Sequence, residues 1–437
     1  MKNHISVFFL FVFFSCFSQG DFYLLHHKKK HTFSFKSINN LIIIPLEVNG
    51  EKGSFILDTG LSSNILFKAK SKIDSSFVKL RTVKLNGFGN GPTMDAIVTI
   101  DNTFRLQNIK ATKQKMLIIL DEHVNFSAKM GMTIDGMIGY EFFKNFIVKI
   151  NFKSKKITVY DPKYFKKKTR KTYHTFPLQF HKYKPYITGH VKIKDSLVEK
   201  IPVKLLIDTG GSDSIWLFED TSENLVPRGK YFEDFLGEGI SGSIFGMKNK
   251  IEEFVLGDFI FEKPIVSFLN TETTVLARRI KDRNGSIGNG MLRRFIAWFD
   301  YGNKEITLKK NSHFKDKFTY NMSGLEINYN GNILVVETQG NSFVVDSMEE
   351  KLKLTNDFSF SLKPSYVIAN VRKKSPGDLV GIQVGDVLLK VNHTSSYKMT
   401  FDEISDLFFT KKNKWVTLLV ERNGKKLSFR FKLIDEL

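Results

Sequence analysis

Two apolar runs in this chain stop at the same three residues. Residues 53–66 read GSFILDTGLSSNIL and residues 203–217 read VKLLIDTGGSDSIWL. The likeness continues downstream almost in register. Gly139 in DGMIGYEFFKNF follows Asp58 at nearly the interval by which Gly288 in NGSIGNGMLRRF follows Asp208; Phe146 matches Phe295, and Ile157-Thr158 matches Ile306-Thr307. A duplicated domain explains this, and it constrains the fold strongly: the two halves must fold alike, and whatever Asp-Thr-Gly does is done twice.

With 437 residues the chain exceeds one ordinary core, and 42% hydrophobic residues suffice to bury several. Phe is abundant (42) and Pro scarce (10), and Phe, Ile, Val and Thr often alternate with polar residues, so a mostly β protein is expected. Each repeat shows the same order: a strand into Asp-Thr-Gly, a strand out, a glycine-punctuated hairpin, a short helix after Ile-Gly, and a closing hairpin turning at NFKSKK or DYGNKE. The spacing assigns residues 32–161 to a first lobe and 172–311 to a second, with the basic stretch 161–171 between them. After residue 312 the pattern changes. A strand, a Ser-Pro-Gly turn, Gly-Asp and another strand precede TFDEISDLFF, which puts Ile404, Leu407 and Phe408 on one helical face, and a hairpin turning at Asn423-Gly424 follows. Residues 319–437 therefore form a third domain.

The first twenty residues contain one lysine, an apolar run and then small residues, the layout of a secretory signal peptide over residues 1–20 and too short for a spanning helix. The single cysteine, Cys16, lies inside it, poorly placed for lipid attachment. An exported protein, periplasmic or extracellular at the cell surface, is expected. The net charge of +21 is spread along the chain, with dense runs at 26–31 and 163–171 where a leader or linker would lie, so no nucleic-acid partner is expected. Peripheral contact with an anionic membrane surface stays open.

The paired Asp-Thr-Gly and Ile-Gly segments resemble the signatures of retropepsin-like and pepsin-like aspartic proteases, and the helix after Ile-Gly is similar to bacterial retropepsin-like domains. SPGDLVGIQVGDVLLKVN, residues 375–392, resembles a PDZ core. The whole layout resembles exported bacterial aspartyl proteases with a C-terminal PDZ domain. The resemblance implies duplicated retropepsin-like β lobes forming a bilobal pepsin-like fold, complete in a monomer, followed by the PDZ-like domain. It implies Asp58 and Asp208 as the catalytic pair, Thr59 and Thr209 as cross-links between the loops, and Gly60 and Gly210 as points of close approach. Ile138, Gly139, Ile287 and Gly288 would pack beneath the loops.

Two carboxylates at one place suit peptide hydrolysis. Like-charge repulsion makes them share a proton, so one takes a proton from water while the other donates to the carbonyl oxygen. Neither a metal nor a cofactor is required. Pepsin-like relatives carry Ser or Thr after Asp-Thr-Gly, and here Leu61 and Gly211 stand instead, which moves the expected pH optimum towards neutrality. Gly87, Phe88 and Gly89 are flap candidates in the first lobe, and Gly239 and Ile240 in the second. Residues 237–242, GEGISG, fit a dinucleotide pattern but sit where a flap belongs and lack the following strand and helix. In the third domain Gly324, Leu325, Glu326 and Ile327 are candidates for binding a C-terminal peptide. The partner expected is a polypeptide substrate. The alternative is a non-catalytic peptide-binding scaffold on the same fold.

Overall fold

The structure, a computed structural model, describes residues 20–67, 77–85, 87, 89, 91–120, 126–219, 221–346, 351–410 and 412–437. The leader before Gly20, with Cys16, and the flap candidate Phe88 lie outside the described residues.

The molecule is mostly β. In each repeat the strand entering Asp-Thr-Gly, Glu51–Leu57 or Ile201–Ile207, ends in three buried residues, Phe55, Ile56 and Leu57 or Leu205, Leu206 and Ile207. Such continuous apolar runs suit a strand covered on both faces. Each pairs in parallel with the strand ending at Ile-Gly, Leu57 opposite Ile138 and Ile207 opposite Ile287. That strand pairs antiparallel with the one leaving the loop, Asn64–Phe67 or Ile215–Phe218. The loop is thus wedged between neighbours that fix its backbone.

A six-stranded sheet joins the halves. The closing hairpins, Ile147–Asn151 with Lys156–Tyr160 and Phe295–Asp300 with Glu305–Lys310, pair through their inner strands, Lys149 opposite Trp298. Lys30–Ser34 and His174–Pro177 take the outer edges. One cross-strand contact is built twice: the Thr32 and Thr158 hydroxyls, and those of Thr175 and Thr307, each lie 2.9 Å apart. The basic run 26–31 therefore does not lie outside the fold. Buried Phe22 and Phe33 flank it and anchor it to the first lobe.

Helices are short: α1 (Phe126–Met130), α2 (Tyr140–Lys144), α3 (Thr271–Arg278), α4 (Asn289–Leu292), α5 (Pro376–Leu379) and α6 (Phe401–Thr410). α2 and α4 follow the two Ile-Gly pairs. The third unit is a sheet of Leu325–Asp346, Lys351–Val371, Val387–Val391, Trp415–Arg422 and Lys425–Lys432. A reciprocal cap starts α6: Thr400 N donates to Glu403 Oε2 at 2.7 Å, and Glu403 N to Thr400 Oγ1 at 3.3 Å. Ile404 and Phe408 then point into the core with Leu325, Ile327 and Ile368. Ile265 of the second lobe joins the same core, so this unit is packed on the lobes and not tethered beside them.

Candidate active site

Both Asp-Thr-Gly turns are held from behind in the same way. Asp58 N donates to Ile138 O at 2.8 Å, and Asp208 N to Ile287 O at 3.0 Å. Within each turn Gly60 N donates to Asp58 Oδ1 at 2.6 Å and Gly210 N to Asp208 Oδ1 at 3.0 Å. The turns are then locked to each other. Thr59 N donates to Thr209 Oγ1 and Thr209 N to Thr59 Oγ1, each at 3.0 Å. Thr59 Oγ1 donates to Ile207 O and Thr209 Oγ1 to Leu57 O, each at 2.7 Å. Each buried hydroxyl both accepts and donates across the lobe boundary, which is why threonine and not valine stands there.

Glycine follows because the other lobe's carboxyl fills the space a side chain would need. A Cβ on Gly210 would lie 2.5 Å from Asp58 Cγ, and one on Gly60 3.1 Å from Asp208 Oδ1. The carboxyls of Asp58 and Asp208 both lie against the backbone at Gly60, where an added Cβ would be 3.1 Å from each Oδ1. Burial first, and then the charge of Asp208, push Asp58 well above the usual carboxylate range, against the pull of the Gly60 amide and Lys184. Asp58 is buried and Asp208 only half-buried. Two carboxyls set this close together do not both ionise easily.

Residues 44–142 match the aspartyl protease family, and residues 367–422 match the PDZ domain. The chain carries an aspartyl protease domain followed by a PDZ domain. Among curated proteins none matches it. The protease match covers the first Asp-Thr-Gly and the Ile-Gly that supports it; the second lobe is tied to it by the internal repeat and by the shared loop geometry. A protease domain implies polypeptide substrates and a PDZ domain implies peptide binding.

Two features of the protease cleft escaped the motif search. Tyr186 lies opposite Leu206 as Ile43 lies opposite Ile56. On that register Lys184 stands where Leu41 stands in the first lobe, and both line the cleft with the aspartates. Burial and Arg283 pull the Lys184 pKa down, while Asp58 and Asp208 oppose them. Aligning the strands upstream of the aspartates is the signal that finds it. The second feature is Asp213, in the place of Ser63. Its carboxylate accepts from Trp216 Nε1 and Ser267 Oγ, both at 2.9 Å, and pairs with buried Lys248 at 3.2 Å.

The cleft has a roof made from both lobes. The second-lobe flap is the hairpin Tyr231–Gly239 with Gly242–Lys250, which puts Gly239 and Ile240 at its tip. The first-lobe hairpin, Val78–Leu85 with the start of Met94–Leu106, brings Gly87 and Gly89 to meet it. Gly87 N donates to Ser241 Oγ at 2.9 Å, and Gly91 N to Ser241 O. A Cβ on Gly87 would lie 2.6 Å from Ile240 Cβ, and one on Gly89 2.5 Å from Gly242 O. The glycines let two flap backbones touch. Beneath them lies a cleft of about 880 Å³ whose far wall includes Glu326 and Ile327, on the strand that pairs with Lys351–Val371. Gly324 and Leu325 are buried behind that wall, with Gly324 in the left-handed region at φ 72°. Among the described residues no cluster of His, Cys, Asp and Glu could hold a metal ion.

Proposed function

We propose that the chain is an exported aspartic endopeptidase that hydrolyses peptide bonds with water activated between Asp58 and Asp208. The observation that carries this reading is the reciprocal threonine lock, which sets two equivalent carboxyls against each other inside one chain. The elevated Asp58 holds the shared proton and donates it to the substrate carbonyl oxygen. Asp208, the more open of the two, takes a proton from the attacking water. The tetrahedral diol then collapses: Asp208 gives the proton it took from water to the leaving amine nitrogen as the C–N bond breaks, and a diol hydroxyl returns its proton to Asp58 as the C=O bond re-forms, so both acids end as they began. The flap glycines let the roof part and close over an extended polypeptide. Because both half-sites belong to one polypeptide, a monomer suffices.

Replacing either aspartate by asparagine removes the proton exchange while keeping the side-chain shape. Cleavage of an unfolded protein substrate is expected to vanish in Asp58→Asn and in Asp208→Asn separately, and a statine-type transition-state mimic should inhibit the unaltered chain. Cleavage that survives both changes overturns the assignment. Export rests on the leader layout of residues 1–20; N-terminal sequencing of the protein recovered outside the cytoplasm tests it, and an intact Met1 there would count against it.

A further inference from the structure

We propose that the PDZ domain is a fixed wall of the catalytic cleft that takes an internal stretch of the substrate polypeptide and has no use for a free C-terminus. The proposal rests on the protease reading for what the cleft does, but its geometry is independent of that reading.

A PDZ domain that captures a C-terminal carboxylate does so with free backbone amides in the loop before its binding strand. Here those amides are already taken. Met322 N donates to Phe408 O at 2.9 Å. Ser323 N and Gly324 N both donate to Asn321 Oδ1, at 3.1 and 3.2 Å, and Leu325 N donates to Ser323 Oγ at 3.1 Å. Asn321 and Ser323 are buried, and the Asn321 amide nitrogen is held by Leu325 O at 2.8 Å. The asparagine side chain stands in for the carboxylate, and the buried amides that it satisfies are not free to receive one.

The groove beyond that loop remains usable, but it opens into the cleft. Ile327, Asn328 and Asn370 on the sheet side and Phe401, Ser405 and Phe409 on the helix side line the same cavity as Asp58 and Asp208. Among the described residues the strand Leu325–Asp346 pairs in the sheet only with Lys351–Val371, and its residues Ile327 and Asn328 face the cleft. α1 of the first lobe packs along this strand, and Gly131 lies so close to α6 that an added Cβ would be 3.0 Å from Phe401 Cβ.

The wall is pinned from both lobes. Buried Arg372 donates to Asn321 O at 3.1 Å, sits 3.5 Å from Asp234 at the base of the second-lobe flap and 3.2 Å from Glu436, and lies 4.0 Å over the Phe232 ring. Lys129 of α1 reaches Glu238 on that flap at 2.6 Å. Lys250 donates to Leu437 O at 2.7 Å. The occupant that fits is an extended segment with apolar side chains towards Phe401 and Phe409. Glu326 in the same wall, raised to about 7 first by burial and then by Asp234, does not repel it while protonated.

The test has two arms on the full-length chain. In the first, an extended fluorescein-labelled peptide, as free acid and as C-terminal amide, is titrated against the Asp208→Asn protein. Equal affinities, within about twofold, are expected; a preference of about tenfold for the free acid, or no binding of either, overturns the proposal. In the second, Ser405→Arg and Asn328→Arg fill the groove from opposite sides without touching the dyad. Each should lower kcat/KM about tenfold for a long peptide and by a smaller factor for a short one spanning only the dyad. Unchanged cleavage of the long peptide by both folded variants overturns it. If the unaltered chain cleaves neither peptide, the protease reading fails, and the binding arm still decides the groove.

Discussion

The two lobes share a backbone and differ in their chemistry. The Asp-Thr-Gly turns repeat bond for bond, from the amide held by Ile138 or Ile287 to the threonine exchange. Around the turns the likeness ends. To the cleft wall the first lobe contributes Leu41, Leu61 and Ile65; the second contributes Lys184, Gly211 and the Asp213–Lys248 pair. Under the proposed mechanism the shared proton makes one acid the donor and the other the acceptor, and two identical surroundings would give it no preferred side. The unequal surroundings make that distinction, and each prediction below removes or exaggerates part of it.

The largest effect separates the two aspartates. Asparagine at either position should lower cleavage by at least about 10²–10⁴-fold, the usual range for a lost acid or base. Thermal stability should then distinguish them. The folded pKa of Asp58 is raised, so the stability it contributes is whole below the unfolded carboxylate range, near pH ~3.9, and is lost as pH rises through the folded value. Asparagine has no proton to lose. Asp58→Asn should therefore melt with the unaltered protein at pH ~3 and above it at neutral pH. A variant less stable than the parent at neutral pH would contradict the burial argument.

The threonines test the shared part. Thr59→Ala and Thr209→Ala each delete a hydroxyl that accepts one bond and donates another inside the lobe interface. Each should destabilise by about 2–4 kcal/mol, counting the partners left unpaired. The two losses should be equal within about 1 kcal/mol, because the bonds are equal; denaturant melts that differ by several kcal/mol would show that the lock is not symmetric.

Lys184→Leu gives the second lobe the residue of the first. Lys184 lowers the Asp58 pKa, so its removal lets Asp58 keep the shared proton to higher pH. The basic limb of the kcat/KM profile should move upward, and the change should be largest at low salt. A limb that stays in place, or moves to lower pH, would remove Lys184 from the electrostatics of the dyad.

How much of this was legible in the sequence follows from how local each signal is. Asp58, Thr59 and Gly60 are adjacent, and the repeat supplies Asp208, Thr209 and Gly210, so the turn could be read directly. The mostly β character followed from Phe, Ile, Val and Thr alternating with polar residues, a signal local to each strand. Lys184 could not be read from the motif, because it reaches the dyad through strand pairing, opposite residues that precede Asp208. The meeting of the flaps needed two hairpins from different lobes, and glycine alone does not say what backbone it approaches. Least visible was Asn321, one polar residue among many until its oxygen is found on the Ser323 and Gly324 amides.

The smallest expected effect concerns the residue after each Asp-Thr-Gly, and here too the lobes differ. Leu61 packs with Ile56 and Met137 at the edge of an apolar cluster, so a hydroxyl there would meet hydrocarbon. Gly211 is open by comparison: an added Cβ would lie 3.5 Å from Asp208 O and 3.7 Å from Asp208 Cγ, ordinary contact distances. Gly211→Ser can thus be accommodated, and its hydroxyl can turn towards the Asp208 carboxyl. A donor favours the ionised form, so the dyad should keep its single charge to lower pH. The acidic limb of the pH profile should extend downward by less than about one unit, with turnover at the optimum changed little. Leu61→Ser should instead cost stability, by about 1–3 kcal/mol for a partly buried leucine, with no comparable move of the acidic limb. If both serines shift the limb equally, the two carboxyls share one environment, and the inequality of the lobes is not what tells acid from base.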